Sequence, residues 1–412
     1  MKNILLFAFI ITFVNTNAQI KILFDATKAE SVGNADWVID ADIHNIGFST
    51  GPAAAGAGNE ANPQRLPTPL QSNITASTPE DYWNGGLSNW AIDCVKKGYE
   101  VESLPYNGQI TYGLTSNLQD LSNYKVFVID EPNISFTANE KTAIITFVQN
   151  GGGLCIISDH TISDRNNDGV DSPQVLNDLI SNNSVQNNPF GISFDYNDIS
   201  QSSSNIANNP TNPILHGTAG NVTQVKWSNG TTMTLNTAQN STATGLVFKT
   251  SSSTTGATNV LCASANYQNG KVVAIGDSSI TDDGTGDNGD TLYNGYTVDA
   301  NGNHQKLLMN AIIWLATATP LSIENTGLTD IKFTIAPNPI QNRELMFTYL
   351  NSDNEPTQLV IYDTLGRTVE QMALSIDQIN LGSVTLTDLK AGVYFCKISN
   401  TTKSKVLRFL VR

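Results

Sequence analysis

Lys125-Val126-Phe127-Val128-Ile129-Asp130-Glu131-Pro132, a helical pattern from Thr137 to Val148, and Asn150-Gly151-Gly152-Gly153-Leu154-Cys155-Ile156-Ile157-Ser158-Asp159-His160 decide the fold. Each apolar run is short and bounded by turn residues, as a buried strand requires. Thr137 caps the intervening helix and the Asn-Gly-Gly-Gly run stops it. The unit is strand, helix, strand, and both strands end in acids. Working outward, Ile20–Phe24 is an earlier strand ending at Asp25. Tyr82–Lys97 carries Trp83, Leu87, Trp90, Ala91 and Cys94 at helical spacing, and Tyr99–Leu104 is a strand. Ser172-Pro173 opens a helix through Ile180. Lys271–Ile275 is a strand running into Gly276-Asp277-Ser278-Ser279, and Asn303 caps a last helix from His304 to Leu315. Strands separated by helices predict an α/β fold with a doubly wound parallel sheet. Residues 189–268 read as β-rich hairpins, an excursion from that sheet.

The chain has 412 residues, 40% hydrophobic and 14% charged, which suits two or three folded domains rather than disorder. It holds 37 acidic and 22 basic residues, net −15. Residues 321–412 carry 9 of each sign, whereas 19–320 carry 28 acidic and 12 basic, a net of −16. So acidic a surface excludes nucleic acid as an expected partner. Met1-Lys2-Asn3, the apolar run Ile4–Val14 and Thr16-Asn17-Ala18 read as a signal peptide over 1–18, cleaved before Gln19. No later run is long enough to span a bilayer, so no transmembrane segment is expected in the mature chain. Cys94, Cys155, Cys262 and Cys396 lack metal-binding spacing and read as buried small hydrophobes.

Residues 321–412 form a separate module of short alternating segments: Lys332–Ile335, Leu345–Tyr349, Gln358–Tyr362, Ser383–Leu386, Gly392–Ile398 and Val406–Val411. That pattern predicts a small all-β sandwich. Three motifs mark it: Ala336-Pro337-Asn338-Pro339, Tyr362-Asp363-Thr364-Leu365-Gly366-Arg367 and Leu389-Lys390-Ala391-Gly392-Val393-Tyr394-Phe395. A basic last strand, Lys403–Arg412, follows them. In that order they resemble the C-terminal sorting domain of the type IX secretion system of Bacteroidetes. The resemblance implies the type IX machinery as partner of 321–412, and a secreted or cell-surface location.

In open α/β sheets, ligands sit beyond the carboxyl ends of the strands. Those ends here bear Asp25, Asp130-Glu131, Asp159-His160 and Asp277. Clustered carboxylates repel, and a divalent cation would relieve the repulsion. Asp25, Glu131 and Asp159 are the expected metal ligands, and His160 would favour zinc or manganese. Asp164-Arg165-Asn166-Asn167-Asp168-Gly169-Val170-Asp171 matches the first half of a calcium loop, with Asp164, Asn166, Asp168 and Asp171 as candidate ligands. Val175 stands where an EF-hand has its glutamate, so the loop would be a modified one. A second acidic loop, Asp282–Asp290, has four aspartates on a glycine-rich backbone. In the insertion 26–81, Asp42 and His44 share a strand face, and Asp36-Trp37, Asp40, Arg65 and Tyr82-Trp83 either line a sugar cleft or pack the core.

The strand-end acids, the Gly-Gly-Gly strand, Asn212-Pro213-Ile214-Leu215-His216-Gly217 and Gly270-Lys271-Val272-Val273-Ala274-Ile275-Gly276-Asp277 together resemble the class I glutamine amidotransferase-like superfamily over residues 20–316. The resemblance implies a flavodoxin-like sheet over a domain of 19–320. The family's cysteine nucleophile is replaced by Ser158-Asp159-His160, and its histidine falls near Gly276-Asp277, so glutamine hydrolysis is not expected. No G-x-S-x-G, H-E-x-x-H or P-loop occurs. Two functions remain. The first is a metal-assisted hydrolase of an extracellular polymer, a glycan foremost. There Asp159 and His160 flank the metal, Asp277 or His304 moves protons, and Arg165 orients substrate. The second is a noncatalytic, calcium-stabilised protein binding a glycan or a partner. Convergence of the strand-end side chains favours the first.

Overall fold

The computed structural model describes residues 19–30, 37–41, 46–47, 61–286, 293–317, 333–340, 343–349, 357–364, 366–387, 389–400 and 404–412. The signal-peptide reading, Asp36, Asp42, His44, Asp287 and Asp290 lie outside them. The chain divides into two compact units, Met1–Thr319 and Pro320–Arg412.

In the large unit, β1 (Lys21–Asp25), β2 (Glu100–Leu104), β3 (Val126–Asp130) and β4 (Gly153–Ile157) are parallel. The small strands β5 (Ile192–Phe194), β6 (Ile199–Ser203), β7 (Val225–Gly230) and β8 (Met233–Leu235) follow. Then come β9 (Thr244–Phe248), β10 (Val260–Tyr267) and β11 (Gly270–Ile275). The main sheet runs β2-β1-β3-β4-β11-β10-β8-β5, with β9 also on β10. Its parallel part is the doubly wound order expected, with β11 parallel to β4. The 189–268 segment departs from expectation in one respect. β6 and β7 form a sheet of their own, as do the two-residue strands His216–Gly217 and Gly220–Asn221; β10, β8 and β5 extend the main sheet antiparallel.

Alternate residues of each central strand feed two cores. Ile22, Phe24, Val126, Val128, Cys155, Ile157, Val273 and Ile275 pack on one face, with α1 (Ser88–Lys96) and α4 (His304–Ala316). Leu23, Phe127, Ile129, Leu154, Ile156, Val272 and Ala274 pack on the other, with α2 (Ala138–Gln149) and α3 (Ser172–Ser181). Each large apolar side chain so buried contributes about 1.5–3 kcal/mol. That explains why the strand runs read apolar at every position. Cys94, Cys155 and Cys262 are buried free thiols in the first core.

Helix ends follow local chemistry. Thr137 accepts from the Glu140 N–H while the Glu140 carboxylate accepts from the Thr137 N–H. Asp171 and Gln174 do the same for α3. Two expectations change. The helix predicted from Tyr82 starts only at Ser88, after a 3-10 turn over Glu80–Tyr82. The chain between them lies against residues 38–41: a Cβ on Gly85 would meet Val38 O at 2.4 Å, and Leu87 donates to Val38 O. Trp83, Leu87, Trp90, Ala91 and Cys94 are nevertheless buried, as their spacing requires. Asn303 does not cap α4; its Oδ1 accepts from Thr223 and Gln224 instead.

Among its described residues the second unit is all-β apart from one short helix. β12 (Phe333–Ile335), β13 (Glu344–Tyr349) and β16 (Ser383–Thr385) form one sheet. β15 (Thr368–Leu374), β14 (Thr357–Tyr362), β17 (Gly392–Ser399) and β18 (Ser404–Val411) form the other. Phe333, Leu345, Leu359, Ile361, Cys396, Ile398 and Phe409 share the core between them. β15 and α5 (Ile376–Leu381) were not expected.

Candidate functional site

The parallel strands reverse order between β1 and β3, so the switch point of the sheet lies between Asp25 and Asp130. The acids predicted at the strand ends are there, and all are buried: Asp25, Asp130, Glu131, Asp159 and Asp277 are each no more than 2% exposed.

Arg165 organises the centre. Its Nε donates to Glu131 Oε1 at 2.8 Å, and its Nη2 reaches Asp159 Oδ2 at 3.4 Å. Its guanidinium lies 4.8 Å from the ring centroid of Trp37. The backbone N–H of Arg165 donates to Asn133 Oδ1 at 3.0 Å, which seats the loop. Ser278 Oγ donates to Glu131 Oε2 at 2.6 Å, joining β11 to β3. The Ser278 carbonyl accepts from Trp37 Nε1. Glu131 holds a left-handed φ of +44°, uncommon for a side chain of its size. Burial lifts its carboxyl to about 7, against the pull of Arg165 and helped by Asp159.

His160 stands at the rim, partly exposed. Its Nδ1 is 3.1 Å from Asp159 Oδ2 but lacks the alignment of a hydrogen bond. Burial disfavours its imidazolium, yet Asp159 outweighs burial and raises the group to about 9. At neutral pH the rim therefore carries two cations, His160 and Arg165, backed by buried carboxylates.

Neighbouring acids are held from within. Thr281 Oγ1 donates to Asp130 Oδ2, and burial raises Asp130 well above the usual range. Asp277 accepts from the backbone N–H groups of Ser228 and Ser279, and burial followed by the Asp159 charge raises it strongly. Asp282 accepts from Gly284 and Tyr293, and burial lifts it to about 7.

Several predicted residues do not join this centre. Asp25 has Lys28, Glu30 and Glu140 as its charged neighbours, a separate group, and burial raises it to about 6. His304 is a structural staple. Its Nδ1 is 2.7 Å from the Gly295 carbonyl and its Nε2 accepts from the Lys226 N–H at 3.0 Å. Both ring nitrogens are thus committed and none remains to move a proton. In the 164–171 loop, Asp164 accepts from the Asp168 and Gly169 N–H groups, and Asp168 from Val170. Asp171 turns to cap α3 and to receive Ile162 N–H. Asn166 bonds Asp168. These are the side-chain-to-backbone turns that Asp and Asn form in any tight loop. Among the described residues no group of three or more His, Cys, Asp or Glu is arranged to hold a metal ion. At Glu131 and Asp159 the cation met is the Arg165 guanidinium. Ser278, Trp37 and Thr281 complete the centre; the Gly276-Asp277-Ser278-Ser279 run hinted at Ser278 and the insertion reading at Trp37, while Thr281 carried no signal.

Solved structures resemble the chain at low identity. The mmIFT52 N-terminal domain is 14% identical and covers 72% of this chain and 98% of its own, at a TM-score of 0.41. A cytoplasmic protein from Salmonella typhimurium is 15% identical over 72% and 98%, at 0.37. A protein from Parabacteroides merdae described as ThuA-like is 13% identical over 73% and 92%, at 0.35. No curated protein matches the sequence. Residues 334–412 match the secretion system C-terminal sorting domain, in the stretch that carries the three tail motifs. That tail is a type IX sorting domain, and it marks the chain for the type IX machinery and for release or display outside the cell.

Proposed function

We propose that the large unit is an exported binding module. It takes a hydroxyl-bearing extracellular ligand, a glycan foremost, at the carboxyl ends of its parallel strands. One observation carries the reading: the strand-end carboxylates are held by internal partners, and the oxygens of Asp25, Asp130 and Asp159 that lack one are buried. Glu131 serves Arg165 and Ser278, Asp130 serves Thr281, and Asp277 serves two backbone N–H groups. The partly exposed groups there are the rim pair His160 and Arg165, which can exchange present hydrogen bonds for ones to a ligand. Charged donors of this kind make the stronger hydrogen bonds to hydroxyl and carboxylate oxygens. Glu131, Asp159 and Arg165 come together, internally paired, whereas Asp25 and His304 lie in other groups.

Hydrolysis stays as a second reading on one specific observation. Glu131 combines a strained backbone with a carboxyl near 7, a pairing typical of reactive groups. In that reading Glu131 exchanges protons with substrate once the ligand displaces Arg165. The separating experiment compares the full chain with Arg165→Met and Glu131→Gln on a panel of oligosaccharides, following affinity and released product together. The binding reading expects affinity lost with Arg165→Met and no product from any form. Product released by the unmodified chain and lost with Glu131→Gln would overturn it in favour of hydrolysis.

A further inference from the structure

Away from the strand ends, a groove of 620 Å³ runs between α3 and the edge strand β5. Its volume lies within the range of small-molecule sites, about 300–1,000 Å³. Tyr196 stands at it with 60% of its surface exposed. Among the described residues it is the one aromatic side chain in the set of exposed large hydrophobics. Around it stand Asp178, Asp195, Asn177 and Gln174.

The wall is preorganised. Asn177 pairs with the edge strand as a neighbouring strand would: Nδ2 donates to Phe194 O at 2.8 Å and Oδ1 accepts from Phe194 N–H at 2.9 Å. The same amide lies 3.3 Å from Tyr196 Oη. Asp195 is held by the hydroxyls of Thr232 and Thr234, one on each oxygen. Asp178 is held by Lys141 and Asn182. A carboxylate offers about four lone-pair positions, so each retains acceptor capacity. Gln174 spends its carbonyl on the Asp171 N–H, which leaves its NH₂ to donate.

From this juxtaposition we infer a second binding site, for a neutral carbohydrate. An exposed ring offers a flat apolar platform to the C–H face of a sugar, and its hydroxyl a polar edge. Fixed acceptors and an amide donor match a row of hydroxyl groups, and little ordering is lost on binding because the wall is already held. Among the described residues Asp195 is held by hydroxyls and not by a cation, so the groove repels anionic ligands such as uronic acids and nucleotides. The inference does not rest on the strand-end site, whose residues do not line this groove.

The test is saturation-transfer NMR of the full chain with cello-, malto- and xylo-oligosaccharides, and with an oligogalacturonate as the anionic control. At least one neutral series should bind, with affinity reduced tenfold or more in Tyr196→Ala and retained in Tyr196→Phe. Arg165→Met should leave this binding unchanged. Tyr196 is exposed, so its substitution leaves the core intact, and an unchanged melting temperature verifies that. Absence of binding by every neutral series would overturn the inference. So would binding indifferent to Tyr196→Ala, or oligogalacturonate bound as well as the neutral sugars. Binding lost in Arg165→Met and kept in Tyr196→Ala would overturn it too, and would assign the ligand to the strand ends.

Discussion

Replacing Arg165 with Met removes the cation that bridges a buried pair of carboxylates, leaving His160 beside Asp159 alone. Glu131 is fully buried, and the Asp159 side chain is 3% exposed. Met keeps most of the aliphatic stem and its packing near Trp37. Breaking a buried pair by removing one partner costs about 3–5 kcal/mol. For a unit of this size that is a melting-temperature loss of about 6–10 °C. The loss must depend on pH, and its sign follows from Glu131. Burial raises this carboxyl from an ordinary 4.5 to about 7. A carboxyl raised in the folded state favours folding most below its unfolded value, and that advantage fades as pH rises through the folded value. Arg165 pulls the folded value down, so the variant carries it still higher. At pH 8 the variant either buries an unpaired charge or takes up a proton, at about 1.4 kcal/mol for each pH unit. At pH 5.5 Glu131 is protonated in both proteins and much of the difference disappears. Thermal melts by circular dichroism at the two pH values read this directly. The account expects the pH 5.5 loss to be under half of the pH 8 loss, and Glu131→Gln added to Arg165→Met to restore part of it. An equal or larger loss at pH 5.5, or a pH 8 loss below about 1 kcal/mol, would refute the reasoning.

Gly276→Ala would set a Cβ 2.2 Å from the Thr231 carbonyl; backbone must shift, and chemical denaturation should report a loss of about 2 kcal/mol or more. His304→Ala leaves the Lys226 N–H and the Gly295 carbonyl without their ring partner. It should lower stability by about 1–3 kcal/mol while leaving ligand affinity unchanged; lost affinity in a protein that still melts cooperatively would show His304 to be part of the site. Deleting residues 334–412 should stop the chain short of the cell exterior, read by fractionation and immunoblot; undiminished export would contradict the assignment of the tail.

The central parallel strands β1, β3, β4 and β11 were legible because both faces of each are buried, which forces an apolar residue at most positions. The order of the antiparallel strands beyond β11 was not, since pairings such as Met233 with Val260 join segments with no shared local signal. For the same reason the hairpin segment could not be divided in advance into strands that extend the main sheet and strands that do not. β15 escaped because only one of its residues, Leu374, is buried, and Thr368, Val369, Gln371 and Ala373 face solvent. The strand-end acids were found for a sound reason, the switch-point geometry, but their partners were not. Asp and Asn in D-x-N-x-D-G serve a cation or their own backbone with the same atoms, and backbone N–H groups of the loop donate to Asp164 and Asp168. His304 carries no local signal of its role, because Lys226 and Gly295 reach it from other parts of the chain.

The central claim is that His160 and Arg165 meet the ligand while the carboxylates behind them stay paired. The most direct measurement follows the side-chain ¹⁵N resonances of His160 and Arg165 in the full chain as oligosaccharide is added. The account predicts saturable shifts of both, an imidazole titrating near 9 in the free protein, and an oligosaccharide that stays intact. Resonances that stay still at saturating ligand, or a ligand cleaved during the titration, would contradict it.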